Sequence, residues 1–198
     1  MNTHVPTPVR LSRRTETPSS EELAAVNALE DGPLTPLKPD DIYVRYVRLT
    51  GDQANAYHGK FRTNDLPRLA EMTVGKTVLI GHNRSEAGVG RFFDGRIIAH
   101  AGHQFTFHGF YWPQARSDAG DLAADIDSGI YHSASISVWF SRPTCALCGE
   151  DMRHVQKCRH LPGQEYNGQI CTFYYDEIED VAEGSIVYAG AHPGTGFA

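Results

Sequence analysis

The sequence predicts an α+β fold dominated by strands. Three observations lead there. Short segments rich in β-branched and aromatic residues alternate in polarity along most of the chain. Nineteen glycines and eleven prolines punctuate them, as turns require. The stretches with helical spacing are few and short. The 198 residues, 40% of them hydrophobic, suffice for one domain with a real core and leave too little for a second.

Residues 1–39 are rich in Pro, Thr, Ser and charge, which predicts a disordered N-terminal arm in which only Glu21 to Leu29 can form a short helix. The domain proper is expected over 40–198. Its first strand is Ile42 to Leu49, turned by Gly51 and Asp52. A helix is expected from Arg68 to Met72, capped by Thr63 or Asn64. Thr77 to Ile80 reads as a buried strand ending at Gly81-His82-Asn83. Val89 to Ala99 is a strand with a turn or bulge at Gly95, and His103 to Trp112 is another. Asp118 to Ile126 reads as a helix closed by Gly129, and Ile130 to Phe140 as a strand. Thr172 to Tyr175 and Ser185 to Ala189 are the final strands.

Composition excludes some functions. The formal net charge of -6 argues against a nucleic-acid partner, because phosphate neutralisation supplies most nonspecific affinity. No apolar run approaches the roughly 20 residues needed to cross a bilayer, so no membrane role is expected. The N-terminal stretch lacks an apolar core, so a secretory signal is not expected either. Thiols in the cytosol are reduced, which leaves the clustered cysteines to be explained by something other than disulfides.

Three constellations carry chemistry. On a strand, Ser133, Ser135 and Ser137 share one face. Small hydroxyls there leave room beside them, although a solvated sheet face would look the same. A serine nucleophile also needs a base. His82, at the end of a short apolar strand, is placed to be one, but it is one of ten histidines. The third set is Cys145-x-x-Cys148 followed by Cys158-x-His160. Its spacing fits a zinc knuckle with Cys145, Cys148, Cys158 and His160 as ligands, within a Cys-rich insertion at about 143–171. Cys171 or His154 can replace His160. A Cys-rich set suits a structural zinc rather than a catalytic one.

These pieces, in this order, resemble the prohead (capsid maturation) serine proteases of tailed phages, relatives of the herpesvirus assemblins. The resemblance rests on Val78-Leu79-Ile80-Gly81-His82-Asn83, on Gly129-Ile130 with Ala134-Ser135-Ile136-Ser137, and on Val181-Ala182-Glu183-Gly184-Ser185-Ile186-Val187 before Ala191-His192-Pro193-Gly194. Cys158-Arg159-His160-Leu161-Pro162-Gly163 looks like the metal-binding insertion of one subgroup. The likeness spans roughly residues 41–197. Ser137 stands where the family usually has Gly, Asn83 where Asp is common, and Gly184 where an apolar residue is usual.

The resemblance implies an assemblin-like antiparallel β-barrel with a few flanking helices. It implies Ser135 as nucleophile, His82 as base and Glu183 as the acid that orients it, with Asp176, Glu177 and Asp180 as rivals for that last role. It places an oxyanion hole in the loop from Ala191 to Gly196. It implies phage scaffold and major capsid protein precursors, and the chain itself, as substrates, inside the prohead in the bacterial host cytoplasm, with self-association open. The competing reading is a non-catalytic zinc-knuckle binding or structural protein of phage assembly, in which the serines are a polar sheet face.

Overall fold

The computed structural model describes residues 17–198. Strand formation follows the alternating segments. β1 (Ile42–Gly51), β4 (Gly90–His100), β5 (His103–Pro113), β6 (Ser133–Cys145) and β9 (Phe173–Val187) are the long strands. β2 (Gly59–Lys60), β3 (Thr77–Ile80), β7 (Glu165–Tyr166), β8 (Gln169–Ile170) and β10 (Gly196–Phe197) are short. The helices are α1 (Ser20–Asn27), α2 (Leu66–Thr73) and α3 (Ala119–Asp127). Among the described residues, no helix is long and apolar enough to cross a membrane.

The main sheet runs β10–β1–β5–β4–β3–β9–β2, and β6 pairs with β9. It curls into an open half-barrel. The expected antiparallel pairing holds for most neighbours but not all, because β9 runs parallel to both β2 and β3. A tight hairpin forces antiparallel pairing, whereas β3 and β9 are separated by three long strands, a helix and the short β7–β8 pair, so β9 is free to enter from the same end as β3. β4 and β5, by contrast, are joined by a two-residue turn with positive φ at Ala101 and Gly102, and His100 faces His103 across it. That is the turn whose twist suits a hairpin.

Both faces of β1 are covered, which explains its near-continuous apolar run. On one face Val47 and Leu49 join Phe92, Phe110, Trp112 and Ile186 beneath Leu122, Ala123 and Ile126 of α3. Trp112 is fully buried and its indole N–H donates to the Ala119 carbonyl at 3.2 Å. The Arg45 guanidinium grips Asp127 of α3 through two bonds of 2.7 and 2.6 Å. On the other face Ile42 and Val44 meet Val26 of α1, with Phe93 and Tyr111. A third cluster packs Leu66 and Leu69 of α2 on Phe61, Ile178 and Val181. Each such fully buried side chain stabilises the fold by about 1.5–3 kcal/mol.

Several expectations need correction. The arm expected over 1–39 divides: residues 1–16 lie outside the described residues, whereas 17–39 carry α1 as part of the body. Ser19 and Glu22 form a reciprocal cap on α1, and Tyr46 donates to Glu22 at 2.7 Å. Burial of Val26 against β1 supplies what the polar composition hid. α2 is preceded by Asp65 rather than capped by Thr63 or Asn64, with no side-chain cap bond. The β4 irregularity falls between Phe92 and Asp94, ahead of Gly95. The two final strands are one continuous β9, in which the acidic run 176–180 alternates across a ribbon with β6.

Candidate active site and metal centre

Strand pairing brings the proposed catalytic residues together. β6 and β9 are antiparallel neighbours, with Ser135 opposite Ser185 and Ser137 opposite Glu183. Residues two apart on a strand share a face, so these four occupy one patch. Beside Glu183 the register shifts by one residue: Ser137 pairs with Glu183 but Val138 with Val181. Ala182 is the extra residue of a bulge, a device that re-aims neighbouring side chains.

His82 reaches this patch from β3. Leu79 pairs with Ser185 and Ile80 with Ile186, so a chain continuing straight would carry His82 past the end of β9. It does not continue. Gly81 and His82 have φ of 62° and 58°, and the Asn83 amide donates to the Ile80 carbonyl at 3.1 Å. Positive φ at both central positions of a hydrogen-bonded turn reverses the chain. Histidine is among the few side chains enriched in this left-handed region, yet the conformation stores strain, a pattern common at functional sites.

The imidazole is held from one side. Its Nδ1 lies 2.8 Å from Glu183 Oε1. Ser185 donates to Glu183 Oε2 at 2.6 Å, and the same hydroxyl oxygen accepts the His82 backbone N–H at 3.1 Å. Glu183 is 2% exposed. Burial works to raise its pKa, but hydrogen bonds from His82, Ser137 and Ser185 outweigh it and hold the carboxyl below its usual range. An ionised acceptor at Nδ1 fixes the proton there and leaves Nε2 as the basic nitrogen.

Ser137 Oγ stands 3.5 Å from His82 Nδ1, on the nitrogen that Glu183 already occupies. Ser135 makes no hydrogen bond to His82 in this arrangement. It lines, with His82, Ser137 and the loop 187–192, a cleft of about 700 Å³. Of the loop 191–196 expected to donate to an oxyanion, Ala191 and His192 line the cleft and 193–196 do not. The backbone N–H groups of Ala189, Gly190 and Ala191 donate to no protein acceptor among the described residues. The rivals of Glu183 are engaged elsewhere: Asp176 with Arg62 and Asp180 with Lys76. Glu177 accepts from Ser141.

Sequence reading missed two features. Ser185 acts only through a register that places it opposite Ser135. His192 sits 7% exposed at the cleft wall, stacked on Phe61, with Asn55 Nδ2 3.3 Å from its Nε2. No local pattern around either residue signals this. The departure at Gly184 has a packing cause, since a Cβ there would lie 2.7 Å from the Phe92 ring.

At the far end of the β6–β9 ribbon, Cys145, Cys148, Cys158 and His160 bring their ligand atoms within 4.8 Å of one another, a cluster that can hold a metal ion. Cys145 ends β6. Tight backbone bonds shape the rest: Gly149 N–H to Cys145 O and Cys158 N–H to His154 O, both 2.9 Å. His160 Nδ1 is 3.5 Å from Cys145 Sγ and 3.9 Å from Cys158 Sγ. Cys171, fully buried, lies 4.0 Å from Cys145, so it neighbours the cluster, while His154 lies outside it. Burial pushes Cys158 and Cys171 up to about 11. Burial also opposes ionising Cys145, but N–H groups of Cys148 and Leu147 outweigh it and bring that thiol down to about 7.

Compared with known proteins, the chain matches no family model, no curated protein and no solved structure.

Proposed function

We propose that this chain is a serine endopeptidase of the prohead maturation type. The observation that carries the reading is the His82–Glu183 contact of 2.8 Å in a cleft that also contains Ser135. An acid that is buried, ionised and bonded to one ring nitrogen leaves the other nitrogen to act as a base, and a serine on the same cleft wall is the natural proton donor.

Ser135 is the nucleophile. Ser137 approaches the nitrogen that carries the proton and cannot deliver its own proton there. Ser135 attacks the scissile carbonyl as Nε2 takes its proton, and the same nitrogen then protonates the leaving amine. Glu183 holds the imidazole in the required tautomer and stabilises its cationic form. The free amides of Ala189, Gly190 and Ala191 offer donors for the oxyanion. The assemblin-like character of the barrel belongs to this reading, as do scaffold and capsid precursors as substrates and action within the prohead.

The metal is zinc, in a structural role. A tetrahedral ion with zinc–sulfur bonds of about 2.3 Å sets its ligand atoms about 3.8 Å apart. The separations of 3.5 and 3.9 Å between His160 and the two thiols fit that spacing. No step of the reaction passes through the metal. It ties the end of β6 to the segment leading into β9 and so braces the ribbon that carries Ser135 and Glu183.

The test is co-expression with scaffold and capsid precursors, read by gel and intact mass. The wild type cleaves them specifically and Ser135→Ala does not, while Ser137→Ala retains cleavage. Absence of cleavage by the wild type in assembling proheads would favour the metal-braced binding protein instead.

A further inference from the structure

Among the described residues, the walls of the catalytic cleft carry no Asp, Glu, Lys or Arg. Beyond the catalytic groups, what faces the space is mostly apolar: Tyr57, Phe61, Val138, Phe140, Tyr175 and Val187. Tyr175 hydroxyl accepts from Asn55 at 2.8 Å, and the Asn55 oxygen accepts the amides of Tyr57 and Gly59. The aromatic rings pack on one another, with Tyr175 tilted against Phe61 and edge-on to Phe140, both at 4.8 Å. His192 completes the wall, and burial lowers its pKa to about 4, so it adds no charge at neutral pH.

We infer that the cleft selects substrates bearing a bulky, uncharged apolar side chain beside the scissile bond, and that its aromatic wall sets this preference. This rests on the protease reading and adds the substrate class to it. A charged side chain entering the cleft would lose its hydration with no opposite charge to meet it, a cost that an apolar side chain escapes. A substrate phenyl or long aliphatic group would instead displace water from aromatic faces already held in place. Tyr57 stands at the rim, 70% exposed, and forms the part of the wall that can be changed without disturbing the core.

The test uses a random decapeptide library in two arms. In the first, a Ser135→Ala/Ser137→Ala variant of the full chain captures peptides, and the bound fraction is sequenced. In the second, the wild type cleaves the library and the new termini are read. The expected result is at least tenfold enrichment of Phe, Leu, Met or Tyr over Lys, Arg, Asp and Glu at one position in both arms. Tyr57→Glu should reduce the discrimination against Lys at that position. Enrichment in the capture arm without cleavage would sustain the cleft preference and sink the protease reading. Cleavage with no apolar preference, or capture of charged peptides as readily as apolar ones, would overturn the inference while sparing the protease. A library neither captured selectively nor cleaved would overturn it as well.

Discussion

Ser185 and Glu183, two residues apart on β9, form a clamp on His82. The Ser185 hydroxyl donates to the Glu183 carboxylate at 2.6 Å and accepts the His82 amide at 3.1 Å. One hydroxyl therefore orients both the acid and the strained turn that presents the base. Replacing it by Ser185→Ala leaves a buried carboxylate oxygen short of a donor. The expected cost is about 1–3 kcal/mol of stability, read from urea unfolding. Displacing the imidazole should also lower kcat by about tenfold to a hundredfold with little change in KM. An unchanged kcat would mean that the clamp is only structural.

Glu183→Gln keeps the shape of the site and removes the charge. It permits the wrong ring tautomer, with Nε2 protonated. The account expects kcat to fall by about a thousandfold or more while the fold is retained by circular dichroism. A loss smaller than tenfold would show that His82 does not depend on this acid.

Stability should fall in mild acid because of two buried histidines. His108 is fully buried, donates from Nδ1 to the Asp94 carbonyl, and has no partner at Nε2 among the described residues. Burial lowers the pKa of His108 and of His192 to about 4, below the 6.5 of an unfolded histidine. Between those values the unfolded chain binds more protons than the folded one. Stability therefore declines as pH drops from about 6.5 to about 4 and is level above that range. Each of the two accounts for up to about 3 kcal/mol of the decline. Urea midpoints across this range should track it, and His108→Gln should flatten the slope. A profile already level in the wild type would contradict the assignment.

Metal analysis should find one zinc per chain. Cys148→Ser should drop the content well below one, and His160→Ala should weaken binding more than Cys171→Ser does. Chelation should expose residues 145–172 to hydrogen exchange, because metal binding supplies folding free energy to this loop-rich segment. Protection unchanged by chelation would mean that the thiols pack without an ion.

Much of this was legible in the sequence, for a physical reason. Periodicity puts His82 at the end of an apolar strand and Ser135 on an alternating face, whereas the grouping of His82, Ser135 and Glu183 came from the family resemblance and not from any local pattern. The cysteine spacing spoke equally plainly. What escaped was non-local. The bulge at Ala182 arises in the β6–β9 pairing, and the left-handed turn at Gly81-His82 meets the site only because β3 lies parallel to β9, and no local pattern encodes either. The clamp by Ser185 follows from the same pairing. The helix over 21–29 was expected, but its docking was hidden, because a polar, proline-rich composition masked Val26, whose burial needs the face of β1. β9 was split in two because its acidic middle reads as solvent-exposed, although a two-stranded ribbon can carry such residues.

The central claim is that Ser135 is a nucleophile activated by His82. The most direct measurement is labelling of the full chain with a fluorophosphonate, followed by peptide mapping by mass. The account predicts one adduct, on Ser135, formed by the wild type and lost in His82→Ala. An adduct on Ser137, or labelling of Ser135 that persists undiminished in His82→Ala, would contradict it.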